Sequence, residues 1–392
     1  MKKLTLVAGA VLGLVSVTSA LAQSSVTLYG IVDAAVTYTT NQVGGSRTGI
    51  DAGQLATSRW GMRGTEDLGS GLKANFTLEG TLINDTGAAG LGFGGNTTVA
   101  GVVVGSPGGT STSLFDRQAT VGLSGGFGSI NLGRQNILGV DSIGLADPIS
   151  LAQPGINPNV AFSALNSGVI FNPAVPASPG NPFSLSSTYA QFGTNDGGAP
   201  LRQNNSIRYV TPIMSGFGGA LMHGFGEQAG NSSANTYSGI SGFFSDGKSG
   251  VALAYAQLKN RTDSSKLTLW GGGAKYAVNT ALTLRATYAQ NKVDTTNRKI
   301  AVIGLGVDYL IAPALTLTGA FYNTKRSGDV DGKANQYVGL AKYALSKRTT
   351  MYTIFTHAKA GSSAAQDTTL GLITTPGNSS ANRLAVGVLH AF

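Results

Sequence analysis

Two segments of the chain have spacings that carry catalysis elsewhere. Gly122-Leu123-Ser124-Gly125-Gly126 has the G-x-S-x-G spacing of a nucleophile elbow, in which a sharp strand-to-helix turn presents a serine hydroxyl for acyl transfer. Here a glycine-rich turn after Ser124 leads straight into another strand-like run, so the required helix is missing. Gly90-Leu91-Gly92-Phe93-Gly94-Gly95 satisfies G-x-G-x-x-G, whose glycines let backbone approach a dinucleotide pyrophosphate, but it lies in a glycine-rich loop with no βαβ context. His223, His357 and His390 are far apart and show no H-E-x-x-H spacing, and the chain has no cysteine. Thiolate and metal chemistry have no support, no Ser/His or Asp/His constellation can be assembled, and neither enzyme nor cofactor is expected.

Arginine is the more informative residue. Arg59 and Arg63 share a face with Gly61, opposite Trp60 and Met62. Arg117 shares parity with Ala119, and Arg202 and Arg208 share a face with Asn204 and Ser206, opposite Ile207 and Tyr209. If the bulky residues meet lipid, these arginines face a lumen. The opposite arrangement would cost about 2 to 4 kcal/mol for each charge near a bilayer midplane. A plainer reading has them pairing with loop carboxylates, or holding lipopolysaccharide phosphates at a rim. Glu79 and Asp33 are available as neutralising partners on the same side.

The elements that would position these residues are strands. From Leu282 the even positions are Leu282, Leu284, Ala286 and Tyr288, and the odd ones Thr283, Arg285, Thr287 and Ala289. The next hairpin repeats the scheme, with Leu315, Leu317, Gly319 and Phe321 against Thr316, Thr318, Ala320 and Tyr322. Such period-two alternation, recurring from Val26 to Phe392, gives each strand one apolar and one small or polar face. Fifty-seven glycines in 392 residues argue against helices, where each interior glycine costs about 1 kcal/mol.

A soluble sandwich and a membrane barrel both alternate in this way. Their connections differ. Tight turns are expected at 66–73, 124–129, 212–218, 245–249, 278–281, 311–314 and 345–349, with long polar loops at 40–57, 84–113, 139–203, 227–235 and 358–382. Short turns on one rim and long loops on the other are a barrel's signature, and a sandwich has no reason to segregate them. The fold class is therefore all-β: a transmembrane antiparallel β-barrel of about sixteen strands, large enough for an aqueous channel. Charged residues are only 11% of the chain, against about 25% in soluble domains, a deficit that composition alone does not assign to either fold. Tyr29, Tyr209, Tyr276, Tyr309 and Tyr343 sit near strand ends, where amphipathic rings suit a headgroup interface. The last strand places Leu384, Val386, Val388, His390 and terminal Phe392 on one face, the pattern of a barrel-closing strand.

Residues 1–22 read as an export signal: Lys2 and Lys3, an apolar run from Leu4 to Val17, then Ala20-Leu21-Ala22 as an A-x-A site with cleavage before Gln23. The apolar run is too short for the roughly 20 residues of a membrane anchor. Export without disulfides suits a bacterial envelope, and residues 23–392 form the barrel domain.

At this point the residues resemble a family, the trimeric general porins of Gram-negative outer membranes, in the branch typical of beta-proteobacteria. The matching segments are 25–33, beginning Ser25-Val26-Thr27-Leu28-Tyr29-Gly30; Ser58-Arg59-Trp60-Gly61-Met62-Arg63-Gly64-Thr65-Glu66-Asp67-Leu68-Gly69; Phe115-Asp116-Arg117-Gln118-Ala119-Thr120; Gly128-Ser129-Ile130-Asn131-Leu132-Gly133-Arg134-Gln135; and Val388-Leu389-His390-Ala391-Phe392. The resemblance implies sixteen strands, a homotrimer in the outer membrane among lipid and lipopolysaccharide, and passage of small hydrophilic solutes and inorganic ions. It also implies a third loop, here 139–203, folded into the lumen to narrow it. That loop is expanded, carries eight prolines from Pro148 to Pro200, and has apolar patches at Val160-Ala161-Phe162 and Val169-Ile170-Phe171. Family positions make Arg59, Arg63, Arg117, Arg134, Arg202 and Arg208 a basic wall, with Asp141 and Asp147 of the loop facing it. Anion selectivity follows as an expectation, in line with the net charge of +9, or +7 once Lys2 and Lys3 leave with the signal.

Three other functions compete. A sugar-specific channel needs a row of lumen aromatics, and with aromatics at 8% of the chain none is evident. A barrel lipase or protease needs rim catalytic residues. A purely structural or adhesive barrel lacks a reason for the inserted loop and the lumen charges. Nothing points to nucleic acid.

Overall fold

A computed structural model describes residues 25–42, 45–89, 97–99, 102–104, 114–153, 156–162, 201–260, 263–295, 297–328, 330–373 and 377–392. The export signal, the Gly90–Gly95 segment and residues 163–200 of the long loop lie outside the described residues. Sixteen antiparallel strands close into a barrel. In chain order they are β1 (Ser25–Gln42), β2 in two segments (Gly45–Ala52 and Arg59–Gly69), β3 (Leu72–Ile83), β4 (Gln118–Gly125), β5 (Gly128–Asn136), β6 (Arg202–Val210), β7 (Phe217–Gly224) and β8 (Tyr237–Ser245). The second half comprises β9 (Ser249–Lys259), β10 (Lys266–Ala277), β11 (Leu282–Val293), β12 (Lys299–Ala312), β13 (Leu315–Ser327), β14 (Gly332–Ala344), β15 (Thr349–Ala360) and β16 (Ser380–Ala391). Short helices α1 (Leu138–Gly144), α2 (Pro158–Phe162) and α3 (Ala365–Leu370) lie in the long-loop connections.

All seven expected tight turns join consecutive strands, and they share one rim. In the first, Gly69, Ser70 and Gly71 all have φ between +52° and +88°, and Asp67 Oδ1 accepts the Gly69 N–H at 2.8 Å. Two of these three positions are therefore glycine, which adopts that backbone without strain. The 40–57 connection departs from expectation: β1 runs on to Gln42 and returns through Gly45–Ala52, so most of it is a strand hairpin. Among the described residues only 53–58 is irregular. It is tied to β1 by the Asp33 carboxylate, which accepts the N–H groups of Leu55 (2.6 Å) and Ala56 (2.7 Å).

The outer face carries exposed apolar residues, among them Leu28, Leu253, Ile303, Leu305 and Val386, a continuous band that would be an aggregation surface in water and is solvated by hydrocarbon in a bilayer. Tyr276, Tyr309 and Tyr343 stand on this face beside the short turns, as expected of an interfacial girdle. Tyr29 does not: its hydroxyl donates to Glu79 on the opposite, inward face.

The barrel closes by pairing β1 with β16, from Ile31 opposite Ala391 to Thr39 opposite Arg383. Gly30 and Phe392 then exchange backbone hydrogen bonds of 3.2 and 3.1 Å. The Phe392 ring lies so close over Gly30 that a Cβ there would be 2.3 Å from it. Deleting Phe392 removes both bonds, at about 0.5 to 1.5 kcal/mol each, and the ring contact as well. The deletion should lower the temperature at which the folded barrel loses its compact gel migration. An unchanged temperature would mean that the seam is held by the ladder alone.

The interior is not uniformly polar. Residues 137–162, where described, pack against the inward face of β8–β15. Ile137, Leu138, Ile143 and Val160 cluster with Leu267, Leu269 and Ala289, and Ile149, Ala152 and Ala161 cluster with Ile300, Val302, Tyr322 and Ile354. Alternation alone predicts small or polar residues at these wall positions. Large aliphatic side chains are stable there because the loop covers them. Gly304 and Gly306 leave room for Pro148, whose atoms would be 3.0 and 2.8 Å from their Cβ positions.

Candidate functional site

Across the barrel, cross-strand register aligns the inward residues of β1–β4. Tyr29, Gly61, Glu79 and Gln118 form one row. The Tyr29 ring lies across Gly61, where a Cβ would be 2.8 Å from it, and its hydroxyl donates to Glu79 Oε2 at 3.1 Å. Glu79 also accepts the Arg117 Nε–H at 2.6 Å and lies 3.9 Å from Arg59 Nε. Arg63, two residues from Gly61 on the other side, is exposed, with its guanidinium 5.3 Å from the centre of the Tyr29 ring. It makes no ion pair among the described residues. Glu79 is thus approached by Arg117 and Arg59, with Arg63 beyond the Tyr29 ring, so one carboxylate is accompanied by three guanidinium groups in this part of the wall.

The other expected members of the basic wall are distributed differently. Arg117 is buried, and its backbone carbonyl accepts the Nε–H of Arg202 at 3.2 Å. Arg202 is itself buried. Arg134 stands opposite Ala119, which faces Leu78, which faces Met62, which faces Leu28. That is the outward row, so its Cα position differs from the expected one, whereas Arg117, which shares the parity of Ala119, precedes β4 and turns its guanidinium inward to Glu79. Its guanidinium is held by the Asp116 carbonyl at 2.5 Å and by the Asn204 side-chain oxygen. Asp116 accepts the N–H and hydroxyl of Thr81 at 2.7 and 2.9 Å. Burial pushes its carboxyl up from the ordinary range, and the Thr81 bonds and the nearby guanidinium groups of Arg117 and Arg202 pull the other way. Arg208 faces inward and pairs with Asp141 of α1, joining the inserted segment to β6.

Asp147 is not on the lumen surface. It is fully buried and accepts the N–H groups of Ile149 (3.1 Å) and Leu151 (2.7 Å), the carboxamides of Asn157 (3.2 Å) and Asn159 (2.8 Å), and the Tyr322 hydroxyl (3.2 Å). It is therefore the hub that binds residues 147–159 to one another and to β13. Burial raises its carboxyl above the ordinary range, opposed by the hydrogen bonds from Asn159, Leu151, Asn157 and Ile149. A raised folded-state value means that the packed arrangement is favoured below the unfolded pKa and loses stability as pH rises through the folded one. Acidification should therefore quieten any conductance noise that arises from this segment, measured in a planar bilayer. Asp147→Asn, neutral at every pH, should remove that dependence.

Two further polar clusters lie outside the expected basic wall. Near the long-loop rim, Asp51 accepts hydrogen bonds from Arg47 (2.8 Å), Arg383 (3.0 Å) and Thr37 (2.6 Å), while Asp33 accepts the Tyr352 hydroxyl. The Gln153 N–H donates to the Gln54 carbonyl at 2.7 Å, tying the inserted loop to this corner. Towards the short-turn rim, Arg285 pairs with Asp308 at 2.7 Å, and Thr318 donates to the same carboxylate at 2.6 Å. Their strand parity was the available signal, since all of these strand residues sit at inward positions. The serine of the elbow lookalike is the penultimate residue of β4, where its hydroxyl accepts the Asn75 amide at 2.8 Å before a turn into β5.

Comparison with known proteins bears on the whole arrangement. A family model described as Gram-negative porin matches residues 8–363. Outer membrane porin protein 32 of Delftia acidovorans is 34% identical over 272 residues, covering 67% of this chain and 63% of that protein. An outer membrane porin protein of Bordetella pertussis is 31% identical over 235 residues, covering 55% and 46%. The chain therefore spans less than two thirds of the length of these two relatives. Among solved structures, an anion-selective porin from Comamonas acidovorans superposes with a TM-score of 0.71 at 26% identity, over 94% of this chain and all of that one. OmpT of Vibrio cholerae, in a trimer form, shares the fold with a TM-score of 0.59 at 12% identity, over 94% and 99%. A closed sixteen-strand wall, apolar outside and charged within, is what such matches require, and with the family model covering most of its length this chain belongs to the Gram-negative outer-membrane porins, a family of channels rather than enzymes.

Proposed function

We propose that the protein is a passive diffusion channel for small hydrophilic solutes and ions, with a preference for anions. The observation that carries this is the row on β2–β4, where Glu79 is outnumbered by Arg59, Arg63 and Arg117. Residues 137–162 fill the opposite side of the interior and narrow the passage, so a permeating ion runs within a Debye length, roughly 8 to 10 Å, of the basic wall. At about 5 Å and an effective dielectric near 20, one unbalanced charge is worth about 3 kcal/mol before screening. The anion-selective character of the Comamonas acidovorans porin agrees with this reading.

Single-channel conductance of the purified protein in a planar bilayer tests the channel, and the reversal potential in a potassium chloride gradient tests its preference. Absence of conductance would end the first reading, and cation selectivity the second. Assembly as a homotrimer belongs to the same proposal, in keeping with the trimer form of the Vibrio cholerae protein. A monomeric mass in mild detergent would remove it. Export by residues 1–22 with cleavage after Ala22 completes the reading, and a mature N-terminus other than Gln23 would revise it.

A further inference from the structure

The connection between β15 and β16 is expected as a long polar loop, yet part of it turns into the barrel. Thr368, Thr369 and Leu370 of α3 are buried, and so is Ile373 beyond it. Leu370 joins the cluster of Ile300, Tyr322 and Ala334 that also holds Ile149, Ala152 and Ala161 of the first inserted segment, and Leu372 packs against the same cluster. Ile373 packs on Ala358 and Ala360, with Ala381 beside them. These wall positions face inward by strand parity: Gly332 and Ala334 with Gln336, Ala358 and Ala360 with Thr356, and Ala381 with Arg383. All are glycine or alanine, which leaves the depth that the segment occupies. A Cβ on Gly332 would be 3.2 Å from both the Gln366 carbonyl oxygen and Leu370. Burial of the apolar side chains holds the segment against the wall, and Asp367 clamps it there. Its carboxylate accepts the Lys333 N–H (2.6 Å) and the Ser362 hydroxyl (2.6 Å), while the Lys333 carbonyl accepts the Gly361 N–H at 2.8 Å.

We infer that residues 361–373 are a second, size-limiting element of the passage, seated between the long-loop mouth and residues 137–162, so that solutes are sorted by bulk before they reach the arginines that sort them by charge. The inward face of β15 gives the order along the pore. Ala360 and Ala358, at its long-loop end, carry Ile373; Thr356, next below, donates to Gln153 of the first inserted segment; Tyr352, further down, donates to Asp33. A solute entering from the long-loop side therefore meets residues 361–373 first. Passage through a pore is limited by its diameter and by electrostatic barriers. This segment supplies mainly the former, since Asp367 is its one ionisable side chain and is turned into its own clamp. The inference rests on the channel reading and is separate from the preference for anions.

Exclusion of polyethylene glycols of graded size from the intact protein in a planar bilayer supplies the test, with polymer added to one side of the membrane at a time. Polymer small enough to enter a mouth lowers the single-channel conductance, and larger polymer does not. Replacing residues 365–370 by two glycines should raise the conductance and shift the exclusion limit to larger polymer on the long-loop side alone, with the limit on the short-turn side as in the wild type. L370S/I373S keeps every charge and removes the apolar seat. It should shift the same limit in the same direction, with the reversal potential in a potassium chloride gradient unmoved. Compact gel migration reports that each barrel is folded, and either variant decides the matter if the other fails to fold. An unmoved limit on the long-loop side in a folded variant would place the segment clear of the passage. Equal shifts on both sides would make it a prop for residues 137–162 and not a filter of its own, and a moved reversal potential in L370S/I373S would tie it to the selection of charge. Each of these outcomes overturns the inference. Absence of conductance in the wild type would instead remove the channel reading, and this inference with it, before any variant is compared.

Discussion

Replacing Arg59 and Arg63 together by glutamate is expected to move the reversal potential from anion towards cation preference, the largest change that any pair of substitutions should produce in this pore. The inward residues around Glu79 carry three positive charges and one negative, and the double variant carries one positive and three negative. At about 3 kcal/mol per unit charge at 5 Å, even strong screening leaves more than the 1.4 kcal/mol that corresponds to a tenfold change in permeability ratio. Arg117 is left in place deliberately. It is buried against Glu79, and removing it would strand that carboxylate and confuse a selectivity change with a folding defect. Arg59→Gln with Arg63→Gln should fall between wild type and the glutamate pair. If the reversal potential stays where it was, these two arginines lie away from the narrow zone and the proposed selectivity has another origin.

Asp147→Ala should have the second largest effect, on conductance and not on selectivity. The carboxylate satisfies Asn157, Asn159 and Tyr322 as well as two backbone N–H groups, all in a buried setting. Each donor left without a partner costs about 1 to 3 kcal/mol, so the packed segment loses several kcal/mol in all. None of the barrel ladder passes through Asp147, so the heat stability of the wall should change little. Under the proposed role, the channel should become wider and noisier, approaching the behaviour of a deletion of residues 153–190. A quiet variant of wild-type conductance would show that this segment does not set the width of the pore.

Much of the architecture was legible in the sequence because its causes are local. Period-two alternation at Leu282–Ala289, glycine at the left-handed positions of the first turn and the apolar terminal strand each depend on a few adjacent residues, and the barrel follows from them. Arg59 and Arg63 were readable for the same reason, since Trp60 and Met62 between them fix the face. What was not legible depends on distant partners. Leu267 and Leu269 point inward because a loop more than a hundred residues earlier covers them. Tyr29 resembles an interfacial tyrosine until Glu79 is brought beside it, and Arg134 resembles its neighbours in sequence until four pairs of strands are registered. Asp147 looks like any other loop carboxylate, and only its convergence with Asn157, Asn159 and Tyr322 reveals a structural hub.

The partners of the inserted segment also set an order of events during assembly. Residues 137–162 lie between β5 and β6, yet Asp147 is bound by Tyr322, 175 residues later, and Gln153 by Thr356, 203 residues later. Contacts of such separation form only after the intervening chain has been organised, because the loop-closure entropy precedes the reward. The segment therefore has no platform until β11, β13 and β15 are paired, and its seating falls at the end of folding, beside closure of the β1–β16 seam. A molecule arrested with its last four strands unpaired would have an open edge and a passage at its widest together. Leakage through immature barrels should thus vanish in the same kinetic step that completes them.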